Sequence, residues 1–188
     1  IRVKASAKII VDNNELANTE GEILFKNDGL SGIAIFELSR FYKPNAIVSI
    51  NLIPDISDDQ LDLYFKEGLS IERVLSGMLP KMIYLDIINR CKQVNKENII
   101  ALLRDYRFNV IDTYGFDYAQ ITVGGVDRTE INPFTCESLI VDNMYIIGEV
   151  ADVDGNSGGY NLHYAWGSGC ISAMDIVRKI NESDVNNK

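Results

Sequence analysis

The first residues of the chain alternate strictly between apolar and polar side chains. Apolar residues occupy the odd positions from Ile1 to Ile9, and the even positions carry Arg2, Lys4, Ser6 and Lys8. A period of two is typical of a β-strand with one buried face. Residues 12–14 predict a turn, and the segments EGEILF and NAIVSINLI predict further strands of a small antiparallel sheet or barrel.

The pattern changes to that of short helices at residue 57. Ser57 predicts a helix N-cap, two aspartates follow it where the helix dipole favours negative charge, and apolar residues recur from Leu61. Gly68 predicts the end of this helix. Three more helices are predicted at residues 71–77, 81–91 and 96–106. Together these helices predict a small helical subdomain.

After Arg107 the pattern returns to strands and loops. Strands are predicted in RFNVID, AQITVGGV and LIVDNMYIIGEV, the last of them ending at Gly148 and Glu149. A helix is predicted from Tyr160 to about residue 180. One face of this helix, which we expect to be buried, carries Leu162, Ala165, Trp166, Cys170, Ala173, Ile176, Val177 and Ile180.

Composition narrows the class of protein. The chain has 27 acidic and 18 basic residues, a net charge of −9, which opposes binding to nucleic acid and to anionic membranes. No apolar run approaches the roughly 20 residues of a membrane-spanning helix. Three distant cysteines without CxxC spacing predict reduced, buried thiols of a cytoplasmic protein. A start without Met, inside a strand pattern, predicts that residue 1 is not a natural N-terminus.

The candidate chemistry lies in residues 145–169, YIIGEVADVDGNSGGYNLHYAWGSG. The pattern predicts a strand, a glycine-rich loop and a helix. The N-terminus of a helix presents N–H groups without intrahelical partners, which stabilise ligands that carry or develop negative charge. Gly158 and Gly159 allow a ligand to approach the backbone, and Glu149 can accept hydrogen bonds from sugar or polyol hydroxyls. This order predicts a site for a nucleotide-like cofactor.

The same stretch, together with AQITVGGVDRTEINPFTCES, resembles the C-terminal signature of the YhiN/BaiN-like (aminoacetone-oxidase-like) FAD-dependent flavoproteins. The resemblance is specific over residues 119–175. Residues 19–40 resemble the start of the inserted domain of that family, although Ile33 stands where the family often has proline. Residues 41–112 match only in the order of their elements.

The resemblance implies a parent protein with an N-terminal Rossmann-like FAD domain, an inserted domain and a C-terminal return to the FAD domain. We therefore expect an α+β fold, a β-barrel-like insert domain with a helical subdomain, followed by a strand-loop-helix piece of the FAD domain. The expected parts are a β-rich part at 1–56, the helical subdomain at 57–106, a returning strand and linker at 107–118, and the C-terminal part of the FAD domain at 119–188.

The resemblance also implies roles for individual residues. Glu149 would bind the ribityl chain of FAD, and Gly124 and Gly125 would pass close to the cofactor or the substrate side of its ring. Four residues would lie against the isoalloxazine ring, where their amides would stabilise negative charge at the N1/C2=O edge of reduced flavin: Gly158, Gly159, Tyr160 and Asn161.

Two functions follow as hypotheses. The first is a part of an FAD-dependent oxidoreductase that passes electrons between NAD(P)H or oxygen and a small organic substrate. The second is a non-catalytic module in which residues 1–112 act as a lid, a dimerisation surface or a protein-binding barrel. The absence of a GxGxxG fingerprint from the sequence predicts that this chain alone binds FAD weakly or not at all.

Other features of the loop have simpler interpretations. Asp152, Asp154 and Asn156 occupy the first positions of an EF-hand pattern, but Ser157 stands where glycine is required, which disfavours a calcium site. Asp152 and Asp154 could also be acid–base residues, although acidic loop residues usually face water. His163 could be a general base, but no carboxylate stands at a fixed spacing beside it. Aromatic residues on a helix, here Tyr160 and Trp166, could stack on the flavin but are more often core.

Overall fold

Two units make up the chain in the computed structural model, which describes residues 1–66 and 68–186. The first unit contains Ile1–Thr113 and the second Tyr114–Lys188. The division falls inside residues 107–118, the range assigned from the sequence to a returning strand and linker. Each unit has a hydrophobic cluster of its own.

A five-stranded antiparallel sheet forms the centre of the first unit. The strands lie in the order β3-β2-β1-β4-β5, and their bounds are β1 Arg2–Val11, β2 Asn14–Lys26, β3 Gly29–Ser31, β4 Ile47–Asn51 and β5 Tyr106–Asn109. The sheet curls into a half-barrel with β3 and β5 as its edges, so the predicted barrel is open in the described part of the chain. Asp12 and Asn13 connect β1 and β2 at φ values of 49° and 64°, as a two-residue hairpin turn requires.

The alternation in β1 is confirmed by the burial of its side chains. The buried positions of β1 are Val3, Ala5, Ala7, Ile9 and Val11. The lysines at the opposite positions pair with acidic residues of β2, Lys4 with Glu20 at 3.2 Å and Lys8 with Glu15 at 3.5 Å. The sheet therefore has one face toward the core and one face in solvent.

Five helices accompany the sheet in the described part of the first unit, and the last four of them follow the change of period predicted at residue 57. Their bounds are α1 Ile33–Ser39, α2 Asp58–Lys66, α3 Ile71–Met78, α4 Lys81–Arg90 and α5 Lys96–Arg104. Ser57 caps α2 as predicted, since its hydroxyl accepts from the Gln60 amide at 3.2 Å and the Gln60 side chain accepts from the Ser57 amide at 2.9 Å. Leu61, Leu75 and Ile87 bury the inner faces of α2, α3 and α4.

A buried tyrosine connects α4 to the edge strand β5. The Tyr106 hydroxyl donates a hydrogen bond to the Asp86 carboxylate, which also pairs with Arg90 Nε at 2.7 Å. The Arg90 guanidinium lies 4.6 Å from the Tyr106 ring centre and 4.9 Å from that of Phe108. Burial, together with the Asp86 carboxylate, raises the pKa of Tyr106, so its hydroxyl stays protonated and acts as a donor.

Removal of the Tyr106 hydroxyl should destabilise the first unit. We expect Tyr106→Phe to lower the free energy of unfolding by about 1–2 kcal/mol, because a hydrogen bond to a charged group is lost while ring packing is kept. Denaturant unfolding measures this change. The matched control is Tyr42→Phe, which removes a 3.2 Å bond to the Ile111 carbonyl at the surface and should cost less. Equal losses in the two variants would contradict the account.

The second unit is built from loops around one long helix, α6, Tyr160–Asn186. Single-turn 3-10 helices cover Phe116–Tyr118, Arg128–Glu130 and Gly148–Val150. The strands predicted in AQITVGGV and LIVDNMYIIGEV are wrong: the described part of this unit contains only isolated bridges, Val126–Ala151, Ile131–Ser138 and Glu137–Tyr145. A strand needs a continuous ladder of partners, and no described segment of the unit supplies one.

The prediction that the apolar face of α6 is buried is also wrong. Leu162 and Trp166 are 71% and 78% exposed, and Val177 and Ile180 are 56% and 55% exposed. Cys170 on that face is exposed, although Cys91 and Cys136 are buried as expected. The face that is buried instead carries small and polar residues, Ser168, Ser172 and Asp175.

Hydrogen bonds hold this polar face of α6 to the preceding loops. The Ser168 hydroxyl accepts from the Gly148 amide at 3.0 Å, and the Ser172 hydroxyl donates to the Thr135 carbonyl at 3.2 Å. Farther along the helix, Asp175 accepts from the Tyr145 hydroxyl at 2.7 Å. These bonds satisfy side chains that would otherwise be buried without partners.

Acid should weaken these contacts. Hydrogen bonds from Tyr145 and then Arg178 lower the pKa of Asp175 below 3.8, and a hydrogen bond from Lys179 lowers the pKa of Glu137 below 4.5. A carboxyl group whose pKa is lower in the folded state adds stability above its unfolded pKa, and this stability is lost as the pH falls through the folded value. We therefore expect the second unit to lose stability below a pH of about 4.

A variant of Asp175 tests this pH dependence. In Asp175→Asn the acid-dependent loss of stability should become smaller, as followed by thermal unfolding at a series of pH values. Asp184→Asn, which changes an exposed carboxylate of the same helix, is the control and should keep the wild-type profile. An unchanged profile in Asp175→Asn would show that this carboxylate does not drive the effect.

Among the residues that the structure describes, none of the helices combines the length and the apolar character needed to cross a membrane.

Candidate functional site

Two segments of the second unit pair through their backbones near Gly125. The Val126 amide donates to the Val150 carbonyl at 2.8 Å, and the Asp152 amide donates to the Val126 carbonyl at 2.9 Å. Gly125 has a φ of 151°, and a Cβ there would lie 2.5 Å from the Val150 carbonyl oxygen. Glycine is needed at this position because the two backbones approach so closely.

Glu149 lies in the second of these segments and is exposed. Its Oε1 accepts a hydrogen bond from the Thr122 amide at 2.6 Å. A carboxylate has about four lone-pair positions, so this bond leaves Glu149 able to accept further hydrogen bonds. The contact brings Glu149 and the Gly124–Gly125 loop together. The sequence did not indicate that the Thr122 amide would donate a hydrogen bond to Glu149.

The loop before α6 is shaped by Asn161. The Asn161 side chain pairs with both sides of one residue: its Oδ1 accepts from the Gly155 amide at 2.8 Å and its Nδ2 donates to the Gly155 carbonyl at 3.1 Å. An asparagine side chain resembles a peptide group, so it can close a loop in this way. The Asn161 side chain therefore fixes the loop through both backbone groups of Gly155.

Gly158 and Gly159 form an open corner at the start of α6. Their φ values are 117° and 101°, and no described heavy atom outside the adjacent residues lies within 4 Å of a Cβ built on either residue. The Tyr160 side chain beside them is 66% exposed. The first intrahelical bond runs from the His163 amide to the Gly159 carbonyl at 2.9 Å. The amides of Tyr160 and Asn161 come before this bond in the chain, at the N-terminus of α6.

The segment that carries Glu149 also packs on α6. A Cβ on Gly148 would lie 3.5 Å from Ala165 Cβ, and the Gly148 amide is bound to Ser168. Glu149 therefore follows a residue that is anchored to α6 about two turns beyond the Gly158–Gly159 corner. The same helix connects the two groups of predicted site residues.

The metal and acid–base alternatives gain no support from the geometry. In the described ranges, no group of three or more His, Cys, Asp or Glu side chains is arranged to hold a metal ion. His163 is exposed on the first turn of α6. Tyr160 and Trp166 are both exposed, so their interpretation as core residues is wrong.

Comparison with known families decides the identity of the fold family. The model of the HI0933-like protein Rossmann domain matches residues 31–175. The chain belongs to this family. The HI0933-like family consists of FAD-binding, Rossmann-type, oxidoreductase-like proteins, so the resemblance to the YhiN/BaiN-like flavoproteins is confirmed.

Curated relatives of the HI0933-like chain carry two different names. A ribosomal RNA dihydrouridine synthase of Escherichia coli is 35% identical over 171 residues, which cover 82% of this chain and 42% of that protein. The Haemophilus influenzae protein of the same name is 30% identical, with coverages of 84% and 43%. A 3-dehydro-bile acid delta(4,6)-reductase of Clostridium scindens is 29% identical over 202 residues, with coverages of 95% and 49%. The chain spans less than half the length of these relatives.

The open corner at Gly158 and Gly159 has room for a flavin ring in this HI0933-like chain. A planar ring system needs a backbone that it can approach, and both Gly158 and Gly159 lack any neighbour that would block it. Glu149 supplies an exposed acceptor on a segment anchored to the same helix. The residues present therefore fit a cofactor with an anionic edge and a polyol chain.

Proposed function

We propose that this chain forms the insert and the C-terminal, flavin-contacting part of an FAD-dependent oxidoreductase. In this proposal the half-barrel and the helices α2–α5 form the insert domain on the substrate side. Residues 119–188 complete the Rossmann-like FAD domain. The single observation that carries the proposal is the open glycine corner at the start of α6 in a chain of a flavin-binding family.

Each site residue has a distinct role in this proposal. FAD, when bound, supplies the capacity to accept and donate a hydride. Glu149 accepts hydrogen bonds from the ribityl hydroxyls while its bond to the Thr122 amide keeps it oriented. The amides after Gly158 and Gly159 stabilise negative charge at the N1/C2=O edge of the ring. Asn161 holds the loop that presents these amides, and Gly124 and Gly125 border the ring or the substrate.

The names of the relatives suggest a common reaction for the whole protein. Dihydrouridine differs from uridine by saturation of a C=C bond next to a carbonyl group, and a delta(4,6)-reductase acting on a 3-oxo steroid also saturates C=C bonds conjugated to a carbonyl. We therefore extend the proposal to reduction of a C=C bond conjugated to a carbonyl, with NAD(P)H as the source of electrons.

Charge favours a small molecule as the substrate. The second unit has four basic and eleven acidic residues, and the first has fourteen basic and sixteen acidic residues. A negative surface repels a phosphate backbone. A ribosomal RNA substrate, as named for two relatives, is the competing outcome and would require basic surface from the rest of the parent protein.

The test uses the full-length parent protein beside this chain. Purified parent protein should show a flavin absorbance spectrum that NAD(P)H bleaches and that a small enone restores, whereas FAD titrated into this chain alone should bind weakly. A colourless parent protein that takes up no added FAD would contradict the proposal and favour the non-catalytic module. Bleached flavin restored by ribosomal RNA and by no enone would refute the small-molecule substrate.

A further inference from the structure

A buried serine of α6 holds the backbone of the segment that carries Glu149. Ser168 is 4% exposed, and its hydroxyl oxygen accepts a hydrogen bond from the buried Gly148 amide at 3.0 Å. The single hydroxyl proton is directed back along the helix, where the carbonyl oxygens of Tyr164 and Ala165 lie at 2.8 and 3.1 Å. Because the proton is used in this way, the lone pairs of the Ser168 oxygen serve the Gly148 amide.

The residues after Gly148 form one closed turn, with Glu149 inside it. The Ala151 amide donates to the Gly148 carbonyl at 3.2 Å, so both backbone polar groups of Gly148 are engaged. The Val126 amide holds the other end of the turn through the Val150 carbonyl at 2.8 Å. Glu149 is therefore an exposed side chain on a backbone that is fixed at both ends.

The helix α6 thus determines the separation of the two groups that the proposed function assigns to the cofactor. Ser168 lies eight residues after Tyr160, so at 1.5 Å per residue the anchor of the Glu149 turn is about 12 Å along the axis from the first amide of the helix. The ribityl chain and the ring are parts of one molecule. Both contacts form together only if the carboxylate and the amides keep a matched distance.

We infer that Ser168 is a positioning residue for the flavin, because its hydroxyl fixes the Glu149 turn relative to the N-terminus of α6. This inference rests on the proposed function. In this role Ser168 acts through the Gly148 amide and not by contact with the cofactor. Release of the turn lets the ring move away from the amides. Since these amides favour the negative charge of reduced flavin, their loss weakens binding of the reduced form more than of the oxidised form and lowers the reduction potential.

Ser172 provides the matched control, one turn farther along α6. It is also 4% exposed, and its hydroxyl also points back along the helix, to the Ser168 carbonyl at 2.9 Å. Its contact with the preceding loops is to the Thr135 carbonyl at 3.2 Å, away from the predicted site residues in the sequence. Ser168→Ala and Ser172→Ala therefore each remove a buried hydroxyl bonded to a loop, but only Ser168→Ala releases the Glu149 turn.

Flavin titrations of the full-length parent protein compare the two variants. We expect Ser168→Ala to raise the dissociation constant of FAD about tenfold and to lower the midpoint potential of the bound flavin. Ser172→Ala should keep both at wild-type values. The thermal unfolding temperatures of the two apoproteins should fall by similar amounts, which separates positioning from a general loss of stability. Equal FAD affinities and equal potentials in the two variants would overturn the inference.

Hydrogen exchange in this chain, followed by NMR, gives a readout without flavin. The Thr122 amide reports on the turn because Glu149 Oε1 accepts its hydrogen bond at 2.6 Å. Ser168→Ala should speed exchange of this amide about fivefold or more, and Ser172→Ala should not. Unchanged exchange at Thr122 in Ser168→Ala would overturn the positioning role. A wild-type parent protein that binds no FAD would instead refute the proposed function and the cofactor role with it, while faster exchange at Thr122 would still establish the link from Ser168 to Glu149.

Discussion

Gly125→Ala should unfold the second unit of the chain while the first unit remains folded. The added Cβ would lie 2.5 Å from the Val150 carbonyl oxygen and 3.0 Å from both Ala151 C and Asp152 N. These are backbone atoms, so relief of the clash requires the two segments to separate. The hydrogen bonds of Val126 to Val150 and of Asp152 to Val126 would then be lost.

The expected cost is large for so small a unit. Loss of two backbone hydrogen bonds costs about 1 kcal/mol each, and overpacking costs about 1–3 kcal/mol more. We therefore expect the free energy of unfolding of the second unit to fall by about 3–5 kcal/mol. The cluster beneath the pair contains only four buried residues, Ile131, Cys136, Ile146 and Ala151. A core of this size leaves little stability in reserve.

Limited proteolysis measures this result, because cleavage should begin within residues 114–186 while the first unit survives. Gly124→Ala is the matched control: its φ of 97° is also positive, but no described atom lies within 4 Å of the added Cβ. Gly124→Ala should lower the free energy of unfolding only through backbone strain, by about 1–2 kcal/mol. Equal proteolysis of the two variants would show that the close approach at Gly125 is not what holds the segments together.

Gly159→Val in the full-length parent protein should remove most of the bound flavin. No described atom outside the adjacent residues lies within 4 Å of the Cβ position, so the new side chain enters the space that the proposal assigns to the ring. A ring displaced from the amides loses their hydrogen bonds, and we expect FAD affinity to fall at least about tenfold, equivalent to 1.4 kcal/mol. Flavin absorbance per protein after dialysis measures the loss.

Backbone strain at positive φ must be separated from this effect. Gly115→Val provides the control, because Gly115 has a φ of 75° and also has open space around its Cβ position. It should carry similar strain and keep the flavin. Full flavin occupancy in Gly159→Val would contradict the placement of the ring, whereas loss of flavin in both variants would assign the effect to strain.

Local periodicity was sufficient to predict the first unit. The alternation from Ile1 to Ile9 specifies the buried face of β1, and the capping residue Ser57 specifies where α2 begins. These features depend on neighbours within a few residues, so they are visible in the sequence. The closure of the sheet is not local: the sequence predicted a small antiparallel sheet or a barrel-like domain, and the structure has a half-barrel.

The second unit shows where such reasoning stops. An apolar helix face predicts burial, but Leu162 and Trp166 are exposed, because the face of α6 that packs on the described loops carries Ser168 and Ser172 instead. The apolar run from Tyr145 to Ile147 likewise predicts a strand that has no ladder among the described residues. Both outcomes depend on which distant segments pack together, and periodicity does not report that. In the candidate site, the roles of the glycines and Glu149 remain predictions from the sequence, whereas the two hydrogen bonds from the Asn161 side chain to Gly155 could be found only in the structure.

Hydrogen exchange at residues 158–161 tests the central claim most directly. The full-length parent protein is measured by mass spectrometry with its flavin removed and again with FAD restored. Our account predicts that FAD slows exchange of these four amides by about tenfold or more, since each hydrogen-bonded amide must open before it exchanges. Unchanged exchange at 158–161, with protection by FAD elsewhere in the protein, would contradict it.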